Sequence, residues 1–365
     1  MYQQILKTAV IYAILLVLTI QFERCVISMQ EPVLFGTYTK KSSHGIYRAF
    51  LDTETKTLSK PELFLEVQNP TYLTLSPQKT LLTISSQETL GGISSYNATN
   101  QALYNEVLFD GPNPCYVSLD EDRQLVYSAN YHKGEILSYQ LAADQTLTLA
   151  DRVVKTGGGP LPEQTAAHMH YSDLTPDKRL VAIDLGADTV YTFDVDSTGK
   201  LTEVAALKVP AGFGPRHLVF APNKQYAYLV GELSSQVATL RYHDDGHFDY
   251  LGALKTIPAD WTEHNGAAAI RCSQDGKFVY VSNRGHNSLA VFTVQADHSL
   301  TLSQLISTAG EFPRDFALDP SEHFVVVANQ NTDNASLYER DTTTGQLTLL
   351  QADIALPEGV CVCFE

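Results

Sequence analysis

The feature that most constrains this chain is an internal repeat. Segments of one design recur at 69–87, 113–130, 168–186, 214–232, 266–284 and 312–330. Each begins at a small residue or proline, runs through a β-rich stretch and a polar turn, and enters a second β-rich stretch. The aligned starts are Pro70, Pro114, Met169, Pro215, Ala267 and Pro313, separated by 44, 55, 46, 52 and 46 residues. Such a step holds four strands of ordinary length with their turns, and self-similarity at that period marks repeat architectures. Between these segments lie further apolar runs joined by Asp- and Gly-bearing turns, as at residues 188–209 and 287–306. Those turns tolerate positive φ and favour hairpins. Helical periodicity is absent. The unit is therefore a four-stranded antiparallel meander, and the chain is expected to be an all-β propeller.

The termini complete the ring. Residues 32–67 read as strands two to four of a blade, and the missing innermost strand is supplied by Pro357–Phe364, 44 residues after Pro313. The expectation is a seven-bladed β-propeller over residues 29–365, closed by the C-terminal strand joining the N-terminal blade, which removes exposed edges. A single tryptophan (Trp261) and no GH…WD pattern set it apart from WD40 proteins. Residues 1–28 form an apolar extension outside this pattern. Thr8–Ile20 is uncharged, has the length of a signal-peptide core and falls short of a bilayer span. It is either a signal or anchor, or a stretch upstream of a true start at Met29. A membrane association is expected only if Thr8–Ile20 is a genuine anchor; otherwise the expected location is cytoplasmic.

With 25 Lys+Arg against 41 Asp+Glu, the formal charge is −16, which disfavours nucleic acid as a partner. The five cysteines are too scattered for a disulfide framework, and no CxxC or HExxH motif occurs. Neither a metal nor another cofactor is expected, and the assembly is expected to be a monomer or a weak homo-oligomer.

A blade's first strand lines the central channel and its second returns antiparallel to it. The start of strand one and the end of strand two therefore share one mouth. At strand-one starts stand Thr71, Cys115, His170, Arg216, Ala268, Arg314 and Glu358; at strand-two ends stand Gln87, Asn130, Asp184, Glu232, Arg284 and Gln330. The bland reading pairs them structurally, Arg216 with Glu232 and Arg284 with Asp184. Three arginines at one mouth of an acidic protein point instead to an anion site. His168 and His170, two apart, are expected on one side of a strand, without an evident third metal ligand. The Gly157–Pro160 loop lacks a following helix and GKS/T; it is expected to be a lid or flexible insertion.

The segments HMH (168–170), DLGADTVYTFDVD (184–196), GPRHLVFAP (214–222), GELSSQV (231–237), YVSNRGHNSLAVF (280–292) and FPRDFALDP…VANQ (312–330) resemble the seven-bladed propeller lactonase family. That family includes 6-phosphogluconolactonases and carboxy-muconate lactonising enzymes. The resemblance implies metal-independent chemistry on a small anionic lactone, with His170 (or His168), Arg216, Glu232 and Arg284 as catalytic residues. Ala167 stands where the family often has proline before the HxH segment. Substrate contacts are expected from His168, Arg314, Asp184, Asn130 and Gln330, with Lys133 or His132 helping Arg314 hold an anionic tail. The leading expectation is hydrolysis of 6-phospho-D-glucono-1,5-lactone in the pentose phosphate pathway, with His170 or Glu232 as base and arginine stabilising the oxyanion. The alternatives are a muconate-type lactonising enzyme and a non-catalytic scaffold.

Overall fold

The computed structural model describes residues 30–365, so the expectations for residues 1–28 and for a start at Met29 lie outside the described residues. The described chain forms seven antiparallel sheets. Blades 2 to 7 are consecutive meanders whose innermost strands are Leu73–Leu75, Tyr116–Asp120, Met169–Leu174, Pro215–Phe220, Gly266–Cys272 and Pro313–Leu318. In blade 1 the innermost strand is Gly359–Phe364, antiparallel to Gln30–Thr37, with Leu34 opposite Cys363 and Phe35 opposite Val362. The ring thus closes as the split repeat required. The one described helix is a single 3-10 turn, Pro162–Gln164, and no described helix is long and apolar enough to cross a membrane.

Burial follows position in the blade. Second strands are packed on both faces between neighbouring blades and are buried along nearly their whole length, as in Leu180–Asp184 and Phe278–Arg284. They accordingly read as near-continuous apolar runs. Outermost strands such as Leu201–Lys208 meet solvent on one face and alternate. The expected turns form as their residues dictate. At Asp196–Lys200 the Asp196 carboxylate accepts the Thr198 and Lys200 amides at 2.8 and 3.0 Å, and Gly199 takes φ +87°. Buried tyrosines latch adjacent blades: the Tyr280 hydroxyl donates to Gly345 O at 2.9 Å and accepts from Arg340 Nε at 2.6 Å.

The axial channel is plugged below its mouth. Tyr72, Tyr116 and Tyr171 pack in sequence at 4.3 and 4.6 Å between ring centroids, and the His217 ring stands edge-on to Tyr72 and Tyr116. Beneath them Arg271 pairs with Asp315 at 2.8 Å, and Asp315 accepts the Val362 amide at 2.9 Å. The channel is a core with one polar mouth above the tyrosines and a smaller hollow of about 250 Å³ on the opposite side.

Candidate active site

Besides the closing strand, where the register passes over Val360, four innermost strands carry a register shift at their mouth end: between Met169 and Tyr171, Pro215 and Leu218, Ala267 and Ile270, and Pro313 and Asp315. Each shift leaves the residue just inside the strand without a cross-strand partner. These residues are His170, Arg216 with His217, Ala268 with Ala269, and Arg314. A bulge re-aims the side chain it carries, and here it directs three of the four sets toward the axis. His168 and His170 both meet the Tyr131 ring, but only His170 forms part of the cavity wall. His168 lies just outside the strand, stacks on Tyr131 at 4.1 Å and places Nδ1 2.8 Å from Tyr131 O. His170 stands edge-on to Tyr131 at 5.9 Å and lies 5.1 Å from the His217 ring.

The mouth opens into a cavity of about 440 Å³ whose wall includes His170, Glu232, Arg284, Arg314, Tyr131 and His132. At its centre Glu232 Oε2 lies 2.9 Å from Arg216 Nε and 2.8 Å from Arg284 Nη2. Both arginines therefore share one carboxylate, and the alternative pairing of Arg284 with Asp184 does not form. Arg284 is fixed from behind, its Nε donating to Gly266 O at 3.0 Å and its Nη2 to Ala267 O at 3.3 Å. Gly266 makes that approach possible, because a Cβ there would stand 3.0 Å from Arg284 Nη2. Arg216 sits deeper and is not part of the cavity wall. Its Nε–H is poorly aligned with Glu232 and makes no hydrogen bond, so the Arg216–Glu232 contact is ionic.

The remaining expected residues separate into two groups. Arg314 lies in the wall. His168, Asp184, Asn130 and Gln330 do not line the cavity; the first three support its rim. Asp184 Oδ1 accepts the His168 and Ala187 amides at 2.7 and 3.0 Å. Asn130 Oδ1 accepts the His132 and Lys133 amides, both at 3.1 Å, and its Nδ2 donates to Pro112 O. Gln330 is tied through its amide to Phe312 O. Lys133 is drawn to Glu135 at 3.8 Å and also lies outside the cavity wall. The Gly157–Pro160 insertion is anchored by the buried Gln164, whose Nε2 donates to Leu185 O at 2.9 Å. The wall residues that strand-start and strand-end reasoning missed include Tyr38, Lys40, Asn69, Pro112, Asn113 and Tyr131; they lie in loops. Among the described residues, a His–His–Asp group with ligand-like spacing, His243, His247 and Asp249, lies on the outer hairpin of blade 5.

Burial and charge set the protonation states. Burial, reinforced by the Arg216 and Arg314 charges, holds His170 well below the ordinary imidazole value of 6.5. His217 is lowered in the same way by burial, Arg216 and His170. Burial alone would raise the Glu232 carboxyl, but the Arg284 and Arg216 charges outweigh it and hold the group below 4.5. Burial raises the Cys115 thiol to about 11, so at neutral pH it is not a nucleophile. The mouth thus holds a carboxylate and a neutral imidazole. The two buried histidines also tie stability to pH. Their folded values lie below the unfolded one, so the stabilisation is complete above about pH 6.5 and is lost as pH falls, by up to about 1.4 kcal/mol per pH unit for each group. Melting curves are expected to drop on acidification from about pH 7 to about pH 5. His217→Phe, which keeps a ring among the tyrosines, is expected to flatten that dependence; an unchanged slope would remove His217 from the explanation.

Comparison with known proteins decides the family. Residues 32–364 match the family described as Lactonase, 7-bladed beta-propeller. The chain belongs to that family. It is 42% identical over 338 residues to a 6-phosphogluconolactonase of Bacillus subtilis, covering 90% of this chain and 97% of the relative. A crystal structure of a protein from Lactobacillus plantarum is 58% identical, with TM-score 0.91, covering 92% of this chain and all of that one. A Pseudomonas aeruginosa periplasmic gluconolactonase is 31% identical, with TM-score 0.85, covering 92% and 99%. Membership in the propeller lactonase family supports a lactone-hydrolysing carboxylic-ester hydrolase.

Proposed function

We propose that this chain hydrolyses 6-phospho-D-glucono-1,5-lactone to 6-phosphogluconate, the lactone-opening step of the pentose phosphate pathway, in the cytoplasm. The observation that carries the chemistry is the single Glu232 carboxylate shared by Arg216 and Arg284 beside the neutral His170. Hydrolysis of a lactone needs a base for water and compensation for the oxyanion that forms on the carbonyl oxygen. Protonating His170 would create a buried cation next to Arg216 and Arg314, which is unfavourable. Protonating Glu232 removes its negative charge as the same charge appears on the lactone oxygen. The arginine field is then balanced at every stage.

Glu232 therefore takes a proton from a water in the cavity. The water oxygen forms a bond to C1, and the carbonyl electron pair moves to its oxygen, where Arg284 compensates it. Collapse of that adduct breaks the bond from C1 to the ring oxygen, and the departing oxygen recovers the proton from Glu232. His170 stays neutral and orients water or the lactone by hydrogen bonding. Arg216, behind the wall, holds Glu232 ionised and in place.

The test is turnover of freshly generated δ-lactone above its spontaneous opening. Acid release from the phosphorylated sugar lactone supports the reading; activity only on a muconate-type lactone, or thermal stabilisation by 6-phosphogluconate without turnover, overturns it. Because the base is a depressed carboxyl, kcat/KM is expected to stay level through neutral pH. It should fall only as acidity approaches the Glu232 value below 4.5. An acid limb that persists, with turnover retained, in folded Glu232→Gln would reassign the base to His170.

A further inference from the structure

We propose that Lys40, Tyr38 and Arg314 form a clamp for the substrate's phosphate, and that the ring-closing Glu358 positions it. This proposal rests on the lactonase reading above. Lys40 and Arg314 both line the mouth cavity. Lys40 Nζ lies 4.0 Å from the Tyr38 ring centroid, and the Arg314 guanidinium carbon 5.6 Å from the same centroid. Two cations thus share one aromatic ring. Among the described residues neither has a carboxylate partner, whereas Arg216 and Arg284 in the same mouth already share Glu232. A ring face offsets only part of the repulsion between two such charges. A doubly charged anion between them offsets the rest and gives each cation a charge-assisted hydrogen bond. Phosphate fits this arrangement, and Lys40 takes the place that Lys133 would have held.

The loop carrying Lys40 is organised by the last segment of the chain. Glu358, buried between Pro357 and the closing strand, accepts the amides of Lys40, Lys41 and Ser43 at 3.1, 2.8 and 3.2 Å. Its own carbonyl accepts the Tyr38 amide at 3.1 Å, and its amide donates to Asp333 at 2.8 Å. Thr39 and Asn69 bind each other across blades 1 and 2, the Thr39 amide donating to Asn69 Oδ1 and the Asn69 amide to Thr39 Oγ1. Closing the ring therefore also builds the phosphate seat.

The experiment compares 6-phosphogluconolactone with unphosphorylated glucono-δ-lactone in wild type, Lys40→Ala and Glu358→Ala, with Lys133→Ala as a control. It also includes calorimetric titration of 6-phosphogluconate against gluconate. The kcat/KM preference for the phosphorylated lactone is expected to fall at least tenfold in Lys40→Ala and to stay at the wild-type value in Lys133→Ala. In soluble Glu358→Ala the phosphorylated lactone's KM is expected to rise more than its kcat falls, which separates positioning from general loss of folding. Tighter binding of 6-phosphogluconate than of gluconate is expected in wild type and is expected to shrink in Lys40→Ala. An unaltered preference and an unaltered affinity gap in Lys40→Ala would overturn the clamp even if both lactones are hydrolysed. Failure of wild type to hydrolyse either lactone would overturn the lactonase reading, while the titration still decides the clamp.

Discussion

Glu232→Gln is expected to lower lactone hydrolysis at least a hundredfold while the protein still folds. The substitution keeps the shape of the side chain but removes the proton acceptor, and loss of a general base typically costs about two to four orders of magnitude. It also leaves Arg216 and Arg284, both buried, without their shared counter-charge. Breaking a buried pair from one side costs on the order of 3–5 kcal/mol, so a lower melting temperature accompanies the loss. Binding separates the two effects. An anionic product restores the missing charge, and Glu232→Gln is expected to bind 6-phosphogluconate at least as tightly as wild type although it no longer turns over lactone. Near-normal turnover in folded Glu232→Gln would remove Glu232 as the base. Arg216→Ala is expected to fall by a comparable factor, because Glu232, left with Arg284 alone, is held less firmly ionised and in place.

Removal of residues 357–365 is expected to abolish cooperative folding. The closing strand covers Gln30–Thr37, and Val33, Leu34 and Phe35 of that strand are fully buried. Without it, blade 1 loses its channel-lining strand and exposes a row of unpaired backbone groups. The Asp315 carboxylate loses the Val362 amide, and the Tyr38–Ser43 loop loses Glu358. The cost is spread over the ring rather than confined to one blade, since every blade is held by two neighbours. Circular dichroism and gel filtration of the truncated chain are expected to show aggregation or a broad, non-cooperative transition. A sharp melt within a few degrees of the intact chain would show that closure does not hold the ring.

The architecture was legible because it repeats. A recurring step of 44 to 55 residues with a polar turn inside each copy leaves few alternatives, and the split seventh unit at the termini told where the ring closes. The pairing of Arg216 with Glu232 was legible from the strand-start and strand-end rule. Its extension to Arg284 was not, because it depends on Gly266 and the alanines after it leaving room at a strand start where other blades carry larger side chains. That His170 and not His168 reaches the cavity wall was likewise hidden, since His168 lies just outside the strand with its ring stacked on Tyr131. Asp184 and Asn130 obeyed the rule for position yet serve as turn caps, which short polar side chains at strand ends do as readily as ligand contacts. Tyr38, Lys40 and Tyr131 escaped because they sit in loops, where position relative to the axis follows from contacts far away in sequence, such as that of Lys40 with Glu358.

A crystal structure with 6-phosphogluconate bound tests the central claim most directly. The account predicts the sugar acid's carboxylate against Arg284 and His170, beside Glu232, above the tyrosine plug. Product seated instead in the hollow beside Arg271 and Cys361, or on the outer wall of the blades, would contradict it.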